Sequence, residues 1–240
     1  MVVDLRGSAT SYVLWTRKRH VFRPDHNVTR VESVGQVLGL SLPPSPQIWT
    51  DEAAEARASE LIPEGRKVLV IAPTANWPKK MWPEECYLEL ARRLTGPGGL
   101  LDGADIMIQG GPGERDQVPL LYEALPKDRL IDQMGSDLVT AAACFRRVSL
   151  FVGNDSGLMH LAAAAGAPTL GLFGPTRDDL YAPWGPNAAF VRGPRSCEEI
   201  QGDPGYDHSA PVSEMRDLTV GRVEEAARAL LERLSKGSSS

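Results

Sequence analysis

Short apolar runs alternate with longer amphipathic stretches over most of the chain. Five short apolar runs and a weaker sixth lie at 68–72, 105–109, 130–131, 148–152, 168–172 and 189–192. An uninterrupted apolar run indicates a strand that is covered on both faces. Helical patterns separate the first five runs, at 83–94, 114–125, 138–146 and 158–165. This alternation predicts a parallel sheet wrapped by helices, which is a Rossmann-like α/β domain.

Capping residues predict where individual helices begin. Asp51 is suited to N-cap a helix that reaches Leu61, and Ser136 is suited to cap the helix at 138–146. A last helix is predicted from Thr219, with four apolar residues on one face: Val223, Ala227, Leu230 and Leu234.

The first forty residues carry shorter and less regular patterns. Strands are predicted at 2–5 and 20–22, and helices at 11–15 and 28–38. Three prolines between 42 and 47 forbid a helix and favour an extended connector. We therefore predict four segments: a remnant of an N-terminal domain at 1–41, a Pro-rich linker at 42–50, a complete C-terminal domain at 51–234 and a disordered tail at 235–240.

Composition narrows the class of protein. The chain has 240 residues, of which 42% are apolar and 24% charged, as in ordinary globular proteins. No run approaches the roughly 18 apolar residues that span a membrane. Three cysteines form no CxxC motif, and four histidines show no zinc-type spacing. We therefore expect a protein of the reducing cytosol with no bound metal and no cofactor.

The net charge of −5 conceals a basic N-terminal segment. Residues 1–30 hold six basic and two acidic side chains. This cluster suits an anionic partner such as acidic lipid, or it is simply solvated, and the residues leave both alternatives open. The acidic remainder of the chain argues against nucleic acid as a partner.

The loop at 153–160 carries the strongest candidate chemistry. Gly157 begins a helix, and the N–H groups at a helix start attract anions. Ser156 adds a hydroxyl group. Asp155 would repel a phosphate, so we expect it to accept hydrogen bonds from sugar hydroxyls. The alternative is that Asp155 and Ser156 merely cap the helix. His160 lies one turn further along, where a packing role is the alternative.

Two further loops follow strands of the same predicted sheet. At 73–83, Lys79 and Lys80 stand between Trp77 and Trp82, so that a lysine would neutralise a diphosphate and an aromatic ring would border a base or sugar. The alternative is a solvated lysine pair between packing tryptophans.

The loop at 110–115 brings in Glu114, which is placed to hold ribose hydroxyls or to serve as a first-turn helix acid. Neither a GxGxxG fingerprint nor a Walker A motif is present. The residues alone thus predict a site for a phosphorylated, hydroxyl-rich ligand such as a nucleotide sugar.

Six segments together resemble the signature of glycosyltransferase family 9, the family of ADP-heptose:lipopolysaccharide heptosyltransferases. The segments lie in order at 74–83, 110–114, 153–164, 168–176, 183–186 and 215–219. The resemblance implies a GT-B fold, in which two Rossmann-like domains face each other across a cleft. The donor binds to the C-terminal domain and the acceptor to the N-terminal one, here as a partial domain.

The resemblance also implies an inverting transfer that requires no metal. It places the donor phosphates at Lys80 and the ribose at Glu114. The complete set of donor-binding residues that it implies is Thr74, Asn76, Lys80, Glu114, Asp155, Ser156, Gly157 and His160.

One part of the family pattern has no counterpart in this chain. The family's first strand and the Gly-Asp loop that carries the proposed general base are missing, so no catalytic residue is assigned. The predicted function is transfer of a heptose-type sugar from a nucleoside diphosphate sugar to a lipopolysaccharide core or other glycolipid. The donor expected from the resemblance is ADP-heptose. The predicted location is cytoplasmic, with peripheral contact at the anionic inner membrane. The alternatives are a catalytically silent nucleotide-sugar-binding fragment and a nucleotide-sugar epimerase.

Overall fold

The computed structural model describes residues 2–4, 11–14, 21–22, 29, 31–32, 35 and 45–237. Near the N-terminus, β1 (Val2–Asp4), β2 (Ser11–Leu14) and β3 (Val21–Phe22) form an antiparallel sheet in that order. The helix predicted at 11–15 is therefore wrong. Its Tyr-Val pair favours extended backbone, and residues 12–14 of β2 pair with β1. The helix predicted at 28–38 lies largely outside the described residues.

Residues 68–192 build a six-stranded parallel sheet with the order β6-β5-β4-β7-β8-β9. Its strands are β4 (Val68–Ala72), β5 (Asp105–Gly110), β6 (Leu130–Met134), β7 (Leu150–Asn154), β8 (Thr169–Phe173) and β9 (Ala188–Arg192). All six predicted strands are confirmed. The chain moves outward from β4 to β6 and then returns to place β7 beside β4. The strand order therefore reverses between β4 and β7, where open sheets of this kind bind ligands.

Helices cover both faces of this sheet. They are α1 (Glu52–Leu61), α2 (Glu84–Thr95), α3 (Pro119–Ala124), α4 (Leu138–Phe145), α5 (Gly157–Ala165), α6 (Asp178–Tyr181), α7 (Cys197–Gln201) and α8 (Val220–Gly237). Successive residues of β4 point to opposite faces. Leu69 and Ile71 pack with α2, α3 and α8, whereas Val68, Val70 and Ala72 pack with α1, α4 and α5. The two cores give a three-layer α/β/α arrangement.

Three details differ from the sequence-based expectation. The helix predicted at 114–125 is a 3-10 turn at Arg115–Gln117 followed by α3, because Pro119 lacks an N–H and keeps Val118 out of helical geometry. Asp137, rather than Ser136, caps α4 by accepting hydrogen bonds from two backbone N–H groups. Helix α8 extends to Gly237, so residues 235–237 are helical and not a disordered tail.

The capping role predicted for Asp51 is confirmed, since its side chain accepts a hydrogen bond from the Ala54 N–H at 2.8 Å. The boundaries predicted between the N-terminal segment, the linker and the C-terminal domain remain predictions. Within the described part of the chain, no helix is both long enough and apolar enough to cross a bilayer.

Candidate functional site

A cleft of about 1010 Å³ opens at the carboxyl ends of β4, β5, β6 and β7. These four strands are neighbours in the sheet, so their loops meet at one edge, which includes the point where the strand order reverses. The cleft brings together every residue predicted from the sequence to bind the donor: Thr74, Asn76, Lys80, Glu114, Asp155, Ser156, Gly157 and His160. Their common location is a property of the structure, whereas their role in donor binding remains a prediction.

The start of α5 forms one wall of the cleft. The first N–H groups of a helix have no partner within the helix and carry a partial positive charge. Ser156 occupies the N-cap position, yet its side chain makes no capping hydrogen bond. Its Oγ is buried, and no described residue forms a hydrogen bond with it. The capping alternative is therefore wrong for Ser156, and a donor hydroxyl is left beside the free amides.

Asp155 does not cap α5 either, because its carboxylate is bound to Lys80. The distance between Lys80 Nζ and Asp155 Oδ2 is 2.8 Å, and the same ammonium lies 3.3 Å from the Asp155 carbonyl oxygen. The side chains are 19% and 7% exposed. A pair so shielded from water interacts more strongly than a surface pair. An anion that enters the cleft competes with Asp155 for the Lys80 ammonium.

Lys79 and the two tryptophans point away from the cleft. Lys79 is buried against Glu214, so the alternative of a solvated lysine pair is wrong. Trp82 is buried and donates its Nε1–H to the Leu218 carbonyl at 2.8 Å. Trp77 stacks on His208 with ring centres 4.7 Å apart. Neither tryptophan lines the cleft, so the expectation that one borders a base or sugar is wrong.

Glu114 links the loops that follow β4 and β5. Its Oε2 accepts hydrogen bonds from Thr74 Oγ1 at 2.5 Å and from the Gly111 N–H at 2.7 Å. It makes no capping bond to the 3-10 turn that it precedes, so the reading as a helix acid is wrong. A Cβ at Gly110 would collide with Met134 Sδ and come within 2.8 Å of Thr74 Oγ1. The absence of a Cβ at Gly110 leaves the space that Met134 and the Thr74 hydroxyl occupy next to Glu114.

His160 keeps an exposed edge, although protein surrounds it on most sides. This burial lowers the pKa of its imidazole below the ordinary value of 6.5. The negative charge of Asp155 partly offsets the effect, and the positive charge of Lys80 adds to it. The lowered pKa favours the neutral imidazole, whose ring can both donate and accept a hydrogen bond.

Asn154 supports the site from the protein interior and was not predicted from the sequence. It is fully buried at the end of β7. Its Oδ1 accepts hydrogen bonds from the Trp82 N–H at 3.0 Å and the Tyr87 hydroxyl at 2.9 Å, and its Nδ2 donates to the Pro73 carbonyl at 2.7 Å. These contacts tie the loop after β4 to the end of β7. The sequence does contain a signal for this role, because Asn154 is a polar amide residue at the end of an otherwise apolar strand.

The loop after β6 and the segment before α1 also contribute to the cleft, through Gly135, Ser136, Asp137, Leu138 and Pro46. Leu138 is 63% exposed, which makes it an apolar surface beside the polar groups. Among the residues that the structure describes, no three His, Cys, Asp or Glu side chains are grouped as a metal site would require.

The strand order and the position of the cleft define a Rossmann-like protein whose site suits an anionic, hydroxyl-bearing ligand. The chain belongs to glycosyltransferase family 9 (heptosyltransferase), since the sequence profile of that family matches residues 4–204.

Individual relatives agree with this assignment. Lipopolysaccharide heptosyltransferase 1 of Escherichia coli K12 is 29% identical over 188 residues, which are 76% of this chain and 55% of the relative. The glycosyltransferase family 9 structure from Veillonella parvula superposes with a TM-score of 0.71 at 21% identity, covering 86% of this chain and 60% of the other.

A second solved structure, that of E. coli ADP-heptose lipopolysaccharide heptosyltransferase II, gives a TM-score of 0.63 at 24% identity. It covers 81% of this chain and 56% of that chain. The likeness confirms the predicted α/β fold of GT-B type. The chain spans about half the length of the curated relatives it matches, at 55% for the two enzymes of E. coli K12. The partial N-terminal Rossmann-like domain remains a prediction.

Proposed function

We propose that the cleft binds a nucleoside diphosphate sugar and that this chain supplies the donor half of an inverting heptosyltransferase. One observation carries the proposal: the Ser156 hydroxyl, which is buried without a partner among the described residues, and the first amides of α5 lie beside the Lys80–Asp155 pair. Positive charge and hydrogen-bond donors thus converge where a diphosphate would sit. The names of the E. coli relatives support ADP-heptose as the donor and lipopolysaccharide as the acceptor.

Each group has a distinct part in the proposed reaction. Lys80 and the α5 amides bind the diphosphate and stabilise the charge that develops on it as the bond to the anomeric carbon breaks. An acceptor hydroxyl attacks that carbon from the opposite face, which inverts its configuration. Glu114 holds the ribose, and Asp155 accepts hydrogen bonds from the sugar. The proton of the acceptor passes to a general base that is not assigned to a residue of this chain.

The proposed reaction needs no metal, because Lys80 and the helix amides supply the positive charge that a metal would otherwise bring. Addition of EDTA should leave donor binding unchanged. We further propose a cytoplasmic location with peripheral contact at the anionic membrane leaflet that presents the glycolipid acceptor. Salt-dependent association with anionic vesicles would support that contact.

A second function is a nucleotide-sugar-binding fragment without turnover. It is the alternative to test because the proposed reaction assigns no general base among the described residues. Calorimetry with ADP and ADP-heptose, followed by a transfer assay with a lipopolysaccharide core acceptor, separates the two functions. Binding with transfer supports the enzyme, and binding without transfer supports the fragment. If neither ligand binds, the proposed site is wrong.

A further inference from the structure

Lys79, the neighbour of Lys80, is a buried lysine that the proposed reaction does not use. Its side chain is 1% exposed, and its Nζ lies 3.2 Å from Glu214 Oε1 and 4.7 Å from the centre of the Tyr206 ring. An ammonium group is costly to bury unless a carboxylate or an aromatic face compensates it. Here both compensating groups come from the segment that precedes α8.

The same segment also binds the backbone around Lys79. The Glu214 N–H donates to the Lys79 carbonyl at 3.1 Å, so the two residues are joined through main chain and side chain. The Ser213 hydroxyl donates to the Met81 carbonyl at 2.5 Å. Neither Ser213 nor Glu214 lines the cleft. The 3-10 turn Pro78–Lys80 is therefore held by residues outside the cleft, while Lys80 extends into the site.

We propose that Lys79 is a positioning residue, whose ion pair with Glu214 fixes the turn that presents Lys80 to Asp155 and to the donor diphosphate. A buried ion pair contributes little net stability compared with apolar packing, but it accepts few alternative geometries. In a 3-10 turn, successive side chains point about 120° apart. Anchoring Lys79 therefore sets the direction of Lys80. The part of this inference that concerns the diphosphate rests on the proposed function.

The positioning role can be tested without any ligand, through the reactivity of the Lys80 amine. The protein is treated with a limiting amount of an amine-reactive ester, and the rate at which Lys80 is labelled is measured by mass spectrometry. Lys67, an exposed lysine, serves as the internal standard. We expect Lys79→Met to raise the Lys80 rate at least about fivefold while the Lys67 rate stays unchanged. Asp217→Asn, which removes the Arg195–Asp217 pair of 2.9 Å in the same C-terminal segment, is the matched control and should change neither rate.

Binding of ADP adds a test that a merely structural role would not satisfy. Lys79→Met should weaken ADP binding about tenfold, which corresponds to the partial loss of a charge-assisted contact. In a Lys80→Ala background the same change should have no further effect, because the lysine that it positions is gone.

The outcomes separate the inference from the proposed function. A folded Lys79→Met protein whose Lys80 rate stays within twofold of the original, or a loss of ADP affinity that is equal in both backgrounds, overturns the positioning role. If Lys79→Met does not fold, Glu214→Gln removes the charge with little change of shape and is judged by the same criteria. If the unmodified protein does not bind ADP, the proposed function fails, and the labelling result still decides the role of Lys79.

Discussion

Lys80 and Asp155, 75 residues apart in the chain, form an ion pair with 2.8 Å between Nζ and Oδ2. The pair joins the loop after β4 to the loop after β7, across the point where the strand order reverses. It places a cation next to the start of α5 and a carboxylate next to that cation. The pair is therefore the centre of the proposed donor site.

Lys80→Ala should weaken ADP binding by about 1–3 kcal/mol, the usual value of a charge-assisted contact. Isothermal titration calorimetry measures the change, and circular dichroism verifies that the variant is folded. Lys67→Ala is the control, because Lys67 is an exposed lysine beside the opposite end of β4. Equal affinity of the Lys80→Ala variant and the unmodified protein would remove Lys80 from the site.

Asp155→Asn should tighten the binding of ADP while it reduces the preference for ADP-heptose over ADP. The substitution keeps the shape and one hydrogen-bond acceptor but removes a negative charge that repels the diphosphate and competes for Lys80. The measurement is the ratio of the two dissociation constants in each protein. A uniform loss of affinity for both ligands would contradict the assignment of Asp155 to the sugar.

Ser156→Ala should not lower the free energy of unfolding and should weaken ADP binding. Its Oγ is buried without a partner among the described residues, so its removal is neutral or stabilising by up to about 1 kcal/mol. Asp137→Ala provides the contrast, because the Asp137 side chain accepts hydrogen bonds from Val139 N at 2.9 Å and Thr140 N at 2.8 Å. That variant should lose about 1 kcal/mol. Urea denaturation compares the two, and a similar loss for both would restore the capping role of Ser156.

His160 should make ADP binding stronger as the pH falls from 8 to 6. Burial places the pKa of the folded imidazole below 6.5, and a bound diphosphate raises that pKa by its negative charge. Binding therefore takes up a proton in this range. His160→Gln should abolish the part of the pH dependence that comes from the protein, and the difference between the two profiles cancels the titration of ADP itself. Identical profiles would count against His160 as a neighbour of the diphosphate.

The lowered pKa of His160 also affects the stability of the folded protein. Stability should decrease as the pH falls, whereas ADP binding should become stronger. The unfolded chain binds the proton more readily than the folded one, so the unmodified protein loses stability as the pH falls through about 6.5. The loss levels off below the pKa of the folded imidazole. Melting temperatures of the unmodified and His160→Gln proteins between pH 5 and 8 should diverge on the acidic side.

Asn154→Ala should destabilise the protein by about 2–4 kcal/mol, because it leaves buried partners without hydrogen bonds on the two sides of the site. Tyr87→Phe removes one of these contacts, the hydroxyl 2.9 Å from Asn154 Oδ1, and should cost less. Urea denaturation of both variants checks the order. If Tyr87→Phe proved as costly as Asn154→Ala, the amide would not be the centre of this network.

Much of the fold was predictable because its signals are local. A strand covered on both faces is apolar at nearly every position, and β4, which is buried throughout, shows this directly. Irregular backbone was harder to predict, since the 3-10 turn before α3 depends on one proline and on contacts made by Glu114. The site residues were found as groups on separate loops, and their convergence followed from the rule for open parallel sheets.

The sequence by itself therefore determined the α/β layering, the loops that carry chemistry and the family, each through short-range pattern or motif. Tertiary structure decided which neighbours those loops meet. Nothing local distinguishes Lys79 from Lys80, yet one is buried against Glu214, 135 residues away, and the other reaches Asp155. Likewise, whether Ser156 caps its helix depends on where its hydroxyl points after folding. Charge pairing and burial are set by distances across the folded sheet, which no spacing along the chain encodes.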